Sequence, residues 1–177
     1  MQKLTLLLPL LLLAGCANTH KPKPEEPPSP LASVERFYAA PVVFDFDVPE
    51  DWDLPPGEFE GKHKDFSEAW LKRLEVTRRA PISRLEGDVP PGGAVIRLVV
   101  HEIDLGFYGG IVRKPAICKG ELFIDDAQGN NLMHWDVTFK TPGDAGWQWY
   151  TYGGRLETAH DAFAVDAISW IQRERSK

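Results

Sequence analysis

The chain has 177 residues with 43% apolar content, 26% charged residues, six tryptophans and a formal charge of −6. That is enough apolar material for one packed domain and too little positive charge for a nucleic-acid binder, because phosphate contact needs clustered Lys and Arg. With only two cysteines, Cys16 and Cys118, no disulfide framework supports the fold and a hydrophobic core must do so.

Lys3 is followed by an apolar run, Leu4–Leu13, interrupted by Pro9. A membrane-spanning helix needs about 20 apolar residues, whereas a signal-peptide core needs roughly 7–15. The run then ends in Leu13-Ala14-Gly15-Cys16. These four residues resemble the lipobox of bacterial lipoproteins, which implies cleavage after residue 15 and lipid on the Cys16 thiol and amine. Residues 1–15 are accordingly read as a lipoprotein signal peptide. Ala17 follows, not the Asp of an inner-membrane retention signal, so outer-membrane sorting is expected.

The lipidated cysteine and a tether are assigned to residues 16–40, with ANTHKPKPEEPPSPL over Ala17–Leu31. Proline and charge leave little to bury, so this segment is expected to be disordered or extended. At about 3.1 Å per residue it would reach on the order of 40–50 Å.

Residues 41–177 are read as a single periplasmic α+β domain. VVFDFDV (Val42–Val48) predicts a strand with Val42, Phe44, Phe46 and Val48 on its buried face. The acidic loop EDWDLPPGEFEG lacks the spacing of an EF-hand and reads as a solvated connection. Lys62–Arg79 predicts an amphipathic helix with Phe66, Ala69, Trp70, Leu74 and Thr77 as its stripe. Glu68 and Lys72, and Glu75 and Arg79, have i,i+4 spacing.

After the turn cluster Val89–Gly93, the β-branched run Ala94–Leu105 predicts a long strand. Its apolar parity passes from Ile96, Leu98 and Val100 to Ile103 and Leu105, which predicts a bulge near Val99–His101. Gly106–Gly110 reads as a hairpin tip containing Phe107 and Tyr108. Pro115–Asp126 is the next strand, with Ala116, Cys118, Gly120, Leu122 and Ile124 inward; Cys118 is read as a buried small hydrophobe. Gln128-Gly129-Asn130 marks a turn. Leu132–Lys140 follows, with Met133, Trp135, Val137 and Phe139 inward and His134, Asp136, Thr138 and Lys140 outward. Arg155–Arg175 predicts a second helix with Leu156, Ala159, Phe163, Ala167, Trp170 and Ile171 on its stripe. The expected architecture is a two-layer α+β sandwich in β-α-β-β-β-α order: a mostly antiparallel sheet of about four strands covered by two helices.

Two stretches, Val43-Phe44-Asp45-Phe46 and Gly120-Glu121-Leu122-Phe123-Ile124-Asp125-Asp126-Ala127-Gln128-Gly129, together with this element order, resemble a group of envelope domains. The group includes the amino-terminal domain of the Tol-system translocation protein TolB, the curli-secretion lipoprotein CsgG and several small outer-membrane lipoproteins. The resemblance implies partner binding without chemistry; the long pore-forming insertions of CsgG have no counterpart here.

Catalytic signatures are absent: no G-x-S-x-G, no P-loop and no dinucleotide fingerprint. His101-Glu102 lacks the second histidine of a zinc protease motif. With His134 and Asp136 on a neighbouring strand, His101 could join a metal site, but a polar outer sheet face explains the same residues and no metal ligand is assigned. Asp125-Asp126 is read as a structural turn. Trp147, Trp149, Tyr150 and Tyr152, set among glycines, form the candidate contact surface, since such rings dominate interface energetics. The expectation is a non-enzymatic outer-membrane lipoprotein without a cofactor. It is anchored by its lipid, faces the periplasm and binds an envelope protein partner. Cell-wall glycan binding through the same rings is the alternative, and a metal-dependent hydrolase comes third.

Overall fold

The computed structural model describes residues 27–48, 57–77, 81–104, 106–109, 112–140 and 158–177. Its elements run β1 (Arg36–Ala39), β2 (Val43–Phe44), α1 (Glu58–Glu75), β3 (Ile82–Arg84), β4 (Gly93–Asp104), β5 (Phe107–Gly109), β6 (Val112–Lys114), β7 (Ile117–Asp126), β8 (Asn131–Lys140) and α2 (Ala159–Arg175). The main sheet has the order β3-β1-β4-β7-β8, with β2 also paired to β4; β5 and β6 form a separate two-stranded ribbon.

This corrects the expected sheet in both size and direction. It has six strands, and β1, β2 and β3 enter in parallel, while β4, β7 and β8 form the antiparallel meander. β1 and β2 lie one after the other along the same edge of β4: Arg36–Ala39 pairs with Gly93–Ile96, and Val43–Phe44 with Val99–Val100. The expected strand Val42–Val48 therefore shrinks to two residues. Its parity is nevertheless as read for Val42, Phe44 and Phe46, which pack on the core, whereas Val48 is exposed.

The segment assigned to the tether also needs correction. Leu31 and Phe37 are completely buried, and Val34 and Ala39 belong to the same core. Ser29 is buried as well; it hydrogen-bonds Glu174 near the end of α2, and the Arg175 guanidinium lies over the Phe37 ring. Among the described residues, the core thus already includes Leu31, with Ser29 buried beside it. The proline-rich composition of Ala17–Leu31 obscured this, because its anchoring side chains are few and irregularly spaced.

Helix α1 starts one turn earlier than expected and ends at Glu75. It buries Phe66, Trp70, Leu71 and Leu74. Trp70 is fully buried and donates its indole N–H to the Ala40 carbonyl at 3.3 Å, and Ser67 Oγ accepts from the Val42 amide at 2.9 Å. Glu68 and Glu75 both reach Arg84 on β3; Arg79, the expected partner of Glu75, lies outside the described residues. Helix α2 buries Ala159, Phe163, Ala164, Ala167, Ile168 and Ile171, stacks Trp170 on Trp135 of β8, and meets α1 through Asp161 and Arg73. Both helices pack on the core formed by the inward side chains of the sheet. No described helix is long and apolar enough to cross a membrane.

His63 of α1 sits among Phe44, Phe46 and Phe59, stacked on Phe44 at a centroid distance of 3.6 Å. Burial of the ring pushes its pKa down from 6.5 to about 4, against a smaller opposing influence from Glu60. The fold thus holds neutral imidazole where the unfolded chain binds a proton. Stability is complete above about pH 6.5, falls as pH drops towards 4, and levels off where both states are protonated. Because the ring is only half-buried, solvent screening reduces this to on the order of 1–2 kcal/mol. Urea unfolding at pH 7 and at pH 4.5 should show His63→Phe losing less stability on acidification than the parent by that amount; equal losses would remove His63 as the cause.

Candidate functional site on the open sheet face

Alternation along β4, β7 and β8 sends one set of side chains under the helices and the other to the opposite face. The inward set is almost wholly apolar: Ile96, Leu98, Val100, Cys118, Leu122, Ile124 and Val137 are all buried. The Cys118 thiol is pushed up to about 12 by burial, which leaves it protonated and unreactive. Among the described elements no helix covers the other face, and there the polar residues converge.

An irregularity in β4 arranges them. The β4–β7 register shifts between Val100 and Glu102, which places the predicted bulge at His101. Without it, alternation would turn Glu102 inward. With it, His101 and Glu102 are both exposed and Ile103 returns to the core. Glu102 then meets Lys119 of β7 at 2.7 Å.

Glu121 of β7 lies at the centre. Its Oε2 is 2.7 Å from His101 Nε2 and its Oε1 is 3.3 Å from His134 Nε2. The hydrogen bond from His101 holds the Glu121 carboxyl below the usual carboxylate range. On its far side, His101 Nδ1 is 3.9 Å from Asp45 Oδ2. The His134 ring stacks on Phe123 at 4.7 Å and 9° between planes, and Arg97 lies over Phe123 at 4.8 Å while its Nε pairs with Asp125 at 2.6 Å. Asp136 stands directly opposite Glu121 in the β7–β8 register. One strip therefore runs from Asp45, just past the end of β2, across three strands through His101 on β4 and Glu121 on β7 to His134 and Asp136 on β8.

Of the residues singled out in the sequence, His101, His134 and Asp136 are brought together as a set. Glu121, which joins them, and Asp45 were missed. Their alternation marked them as outward, but nothing local says which outward residues become neighbours. Asp125 and Asp126 diverge as expected. The former is buried against Arg97 and Asn131. The latter accepts from the Gln128 and Asn130 amides, and its hydrogen bond from the Asn130 side chain lowers its pKa most. Cys16 and the aromatic residues Trp147, Trp149, Tyr150 and Tyr152 lie outside the described residues.

No family model matches the chain, and no curated protein matches it significantly. Among solved structures it is similar to the PelC dodecamer from Paraburkholderia phytofirmans, with 10% identity and a TM-score of 0.47 over 77% of this chain and 86% of that one. A hypothetical protein from Chlamydia trachomatis gives 10% identity and a TM-score of 0.49 over 77% and 98%. A minor lipoprotein from Acinetobacter baumannii gives 16% identity and a TM-score of 0.38 over 75% and 93%. At these values the likenesses assign neither partner nor activity.

The bulge has a tight backbone requirement. A Cβ on Gly120, which pairs with Val100 just before the shift, would run into the Val99 carbonyl oxygen. Backbone cannot swing away as a side chain can. Gly120→Ala should therefore destabilise the domain by about 1–3 kcal/mol in thermal or urea unfolding. An unchanged midpoint would show that the β4–β7 approach is looser than described.

Proposed function

We propose that this chain is a bacterial outer-membrane lipoprotein whose domain faces the periplasm and works by binding a protein partner, without catalysing a reaction. The observation that carries the reading is Leu13-Ala14-Gly15-Cys16 directly after a short apolar run and a single positive charge. Lipid on Cys16 would anchor the chain, and several acyl chains on one residue hold firmly where a single chain does not. Residues 17–28, between that anchor and the buried Ser29, would reach roughly 35–40 Å if extended.

Support for binding over catalysis comes from two sides. The Cys118 thiol is buried and raised out of the nucleophilic range. Trp147, Trp149, Tyr150 and Tyr152 concentrate amphipathic ring area within a few residues, the composition of an interface hot spot. The resemblance of Val43–Phe46 and Gly120–Gly129 to the TolB and CsgG group points the same way.

Fractionation of cells expressing Cys16→Ala should move the protein from the membrane to the soluble periplasmic fraction; a variant still processed and membrane-bound would refute the anchor. Crosslinking in intact cells should yield partner adducts that weaken at least about tenfold in Trp149→Ala, since hot-spot truncations cost 2 kcal/mol or more. Undiminished adducts would remove the aromatic stretch as the contact.

A further inference from the structure

We infer that the open sheet face holds a divalent transition-metal site of the zinc class, with His134, Glu121 and Asp136 as its protein ligands. This is independent of the lipid anchor and of the aromatic stretch. Each of the three residues offers a ligand atom, and these atoms all lie within 4.8 Å of one another, so one ion can reach all three with modest side-chain adjustment. The three come from two hydrogen-bonded strands. Glu121 faces Asp136 across the β7–β8 pair, and His134 is two residues from Asp136 on the same side of β8. Their backbone is thus fixed by the ladder, unlike a chance meeting of loop side chains.

The charge pattern supports a cation. Two carboxylates placed directly opposite in an antiparallel pair repel one another. The basic side chains nearby are already engaged: Lys119 with Glu102, Arg97 with Asp125 and Lys114 with Asp104. What faces Glu121 is imidazole, which carries charge only when protonated.

Orientation is also provided. Stacking on Phe123 holds the His134 ring with Nε2 towards Glu121. His101 grips the other Glu121 oxygen at 2.7 Å and is backed by Asp45. A hydrogen bond from His101 to the ligating carboxylate is the kind of outer contact that fixes a metal ligand from behind. On binding, His134 Nε2 presents its lone pair to the ion and carries its proton on Nδ1 instead. Imidazole with carboxylates suits zinc, and water would complete the shell. Two carboxylates and an imidazole nitrogen are a donor set poorer in oxygen than the six to eight oxygens that calcium takes.

The test uses the full-length chain, purified and stripped with chelator, and titrated calorimetrically with zinc, calcium and magnesium salts. Zinc should bind with one-to-one stoichiometry and raise the unfolding temperature, while calcium and magnesium do neither. Glu121→Gln and His134→Ala should each weaken zinc at least about tenfold, while His160→Gln, on α2, should leave it unchanged. Circular dichroism checks that each variant is folded; Glu121→Gln keeps shape and hydrogen-bonding capacity and serves if His134→Ala does not fold. His101→Ala should weaken zinc less than His134→Ala does. The inference is overturned by no measurable zinc binding, by binding that Glu121→Gln leaves intact, or by calcium or magnesium binding as tightly as zinc.

Discussion

Strand β4 is the element on which everything else depends. It is hydrogen-bonded along both edges, to β1 and then β2 on one side and to β7 on the other. Such a strand has no freedom to slip, because a shift by one residue would exchange its buried and outward sets. The one irregularity it contains, at His101, lets a stretch that begins with Ile96, Leu98 and Val100 inward continue with Ile103 inward while presenting two successive polar residues outward. The core and the polar strip are therefore products of the same backbone feature.

The two faces of the sheet obey different physics. Under the helices, a close-packed apolar layer supplies the stability, with Trp70, Phe37 and Phe163 fully buried. The Trp70 indole N–H, which enters this side, finds the Ala40 carbonyl. The opposite face carries ion pairs and stacked rings in contact with solvent. Individually such pairs add little to stability and are screened by salt. Their interest lies in how they position one another: Phe123 supports His134 on one side and Arg97 on the other, and Glu121 is gripped from two strands.

The domain has one face packed under the helices and one face, covered by no described helix, that carries charged and aromatic groups. The parallel strands β1 and β3 matter here because they extend the sheet beyond the meander and tie the N-terminal segment to the end of α2.

Much of this was legible in the amino-acid order, for a local reason. Side-chain direction in a strand follows a period of two, so the inward residues of β4, β7 and β8, and the bulge where that parity breaks, can be read from neighbours along the chain. The helical stripes of Phe66, Trp70 and Leu74 and of Phe163, Ala167 and Ile171 follow from the helical period in the same way. β1 and β3 escaped because three or four residues cannot establish a period; Phe37 and Ile82 become strand residues by pairing with each other. Alternation likewise put Glu121, His134 and Asp136 on the outward side but could not say that they meet. Register between strands decides that, and register is set by contacts far apart in the chain, which is why the polar strip belongs to the tertiary structure alone.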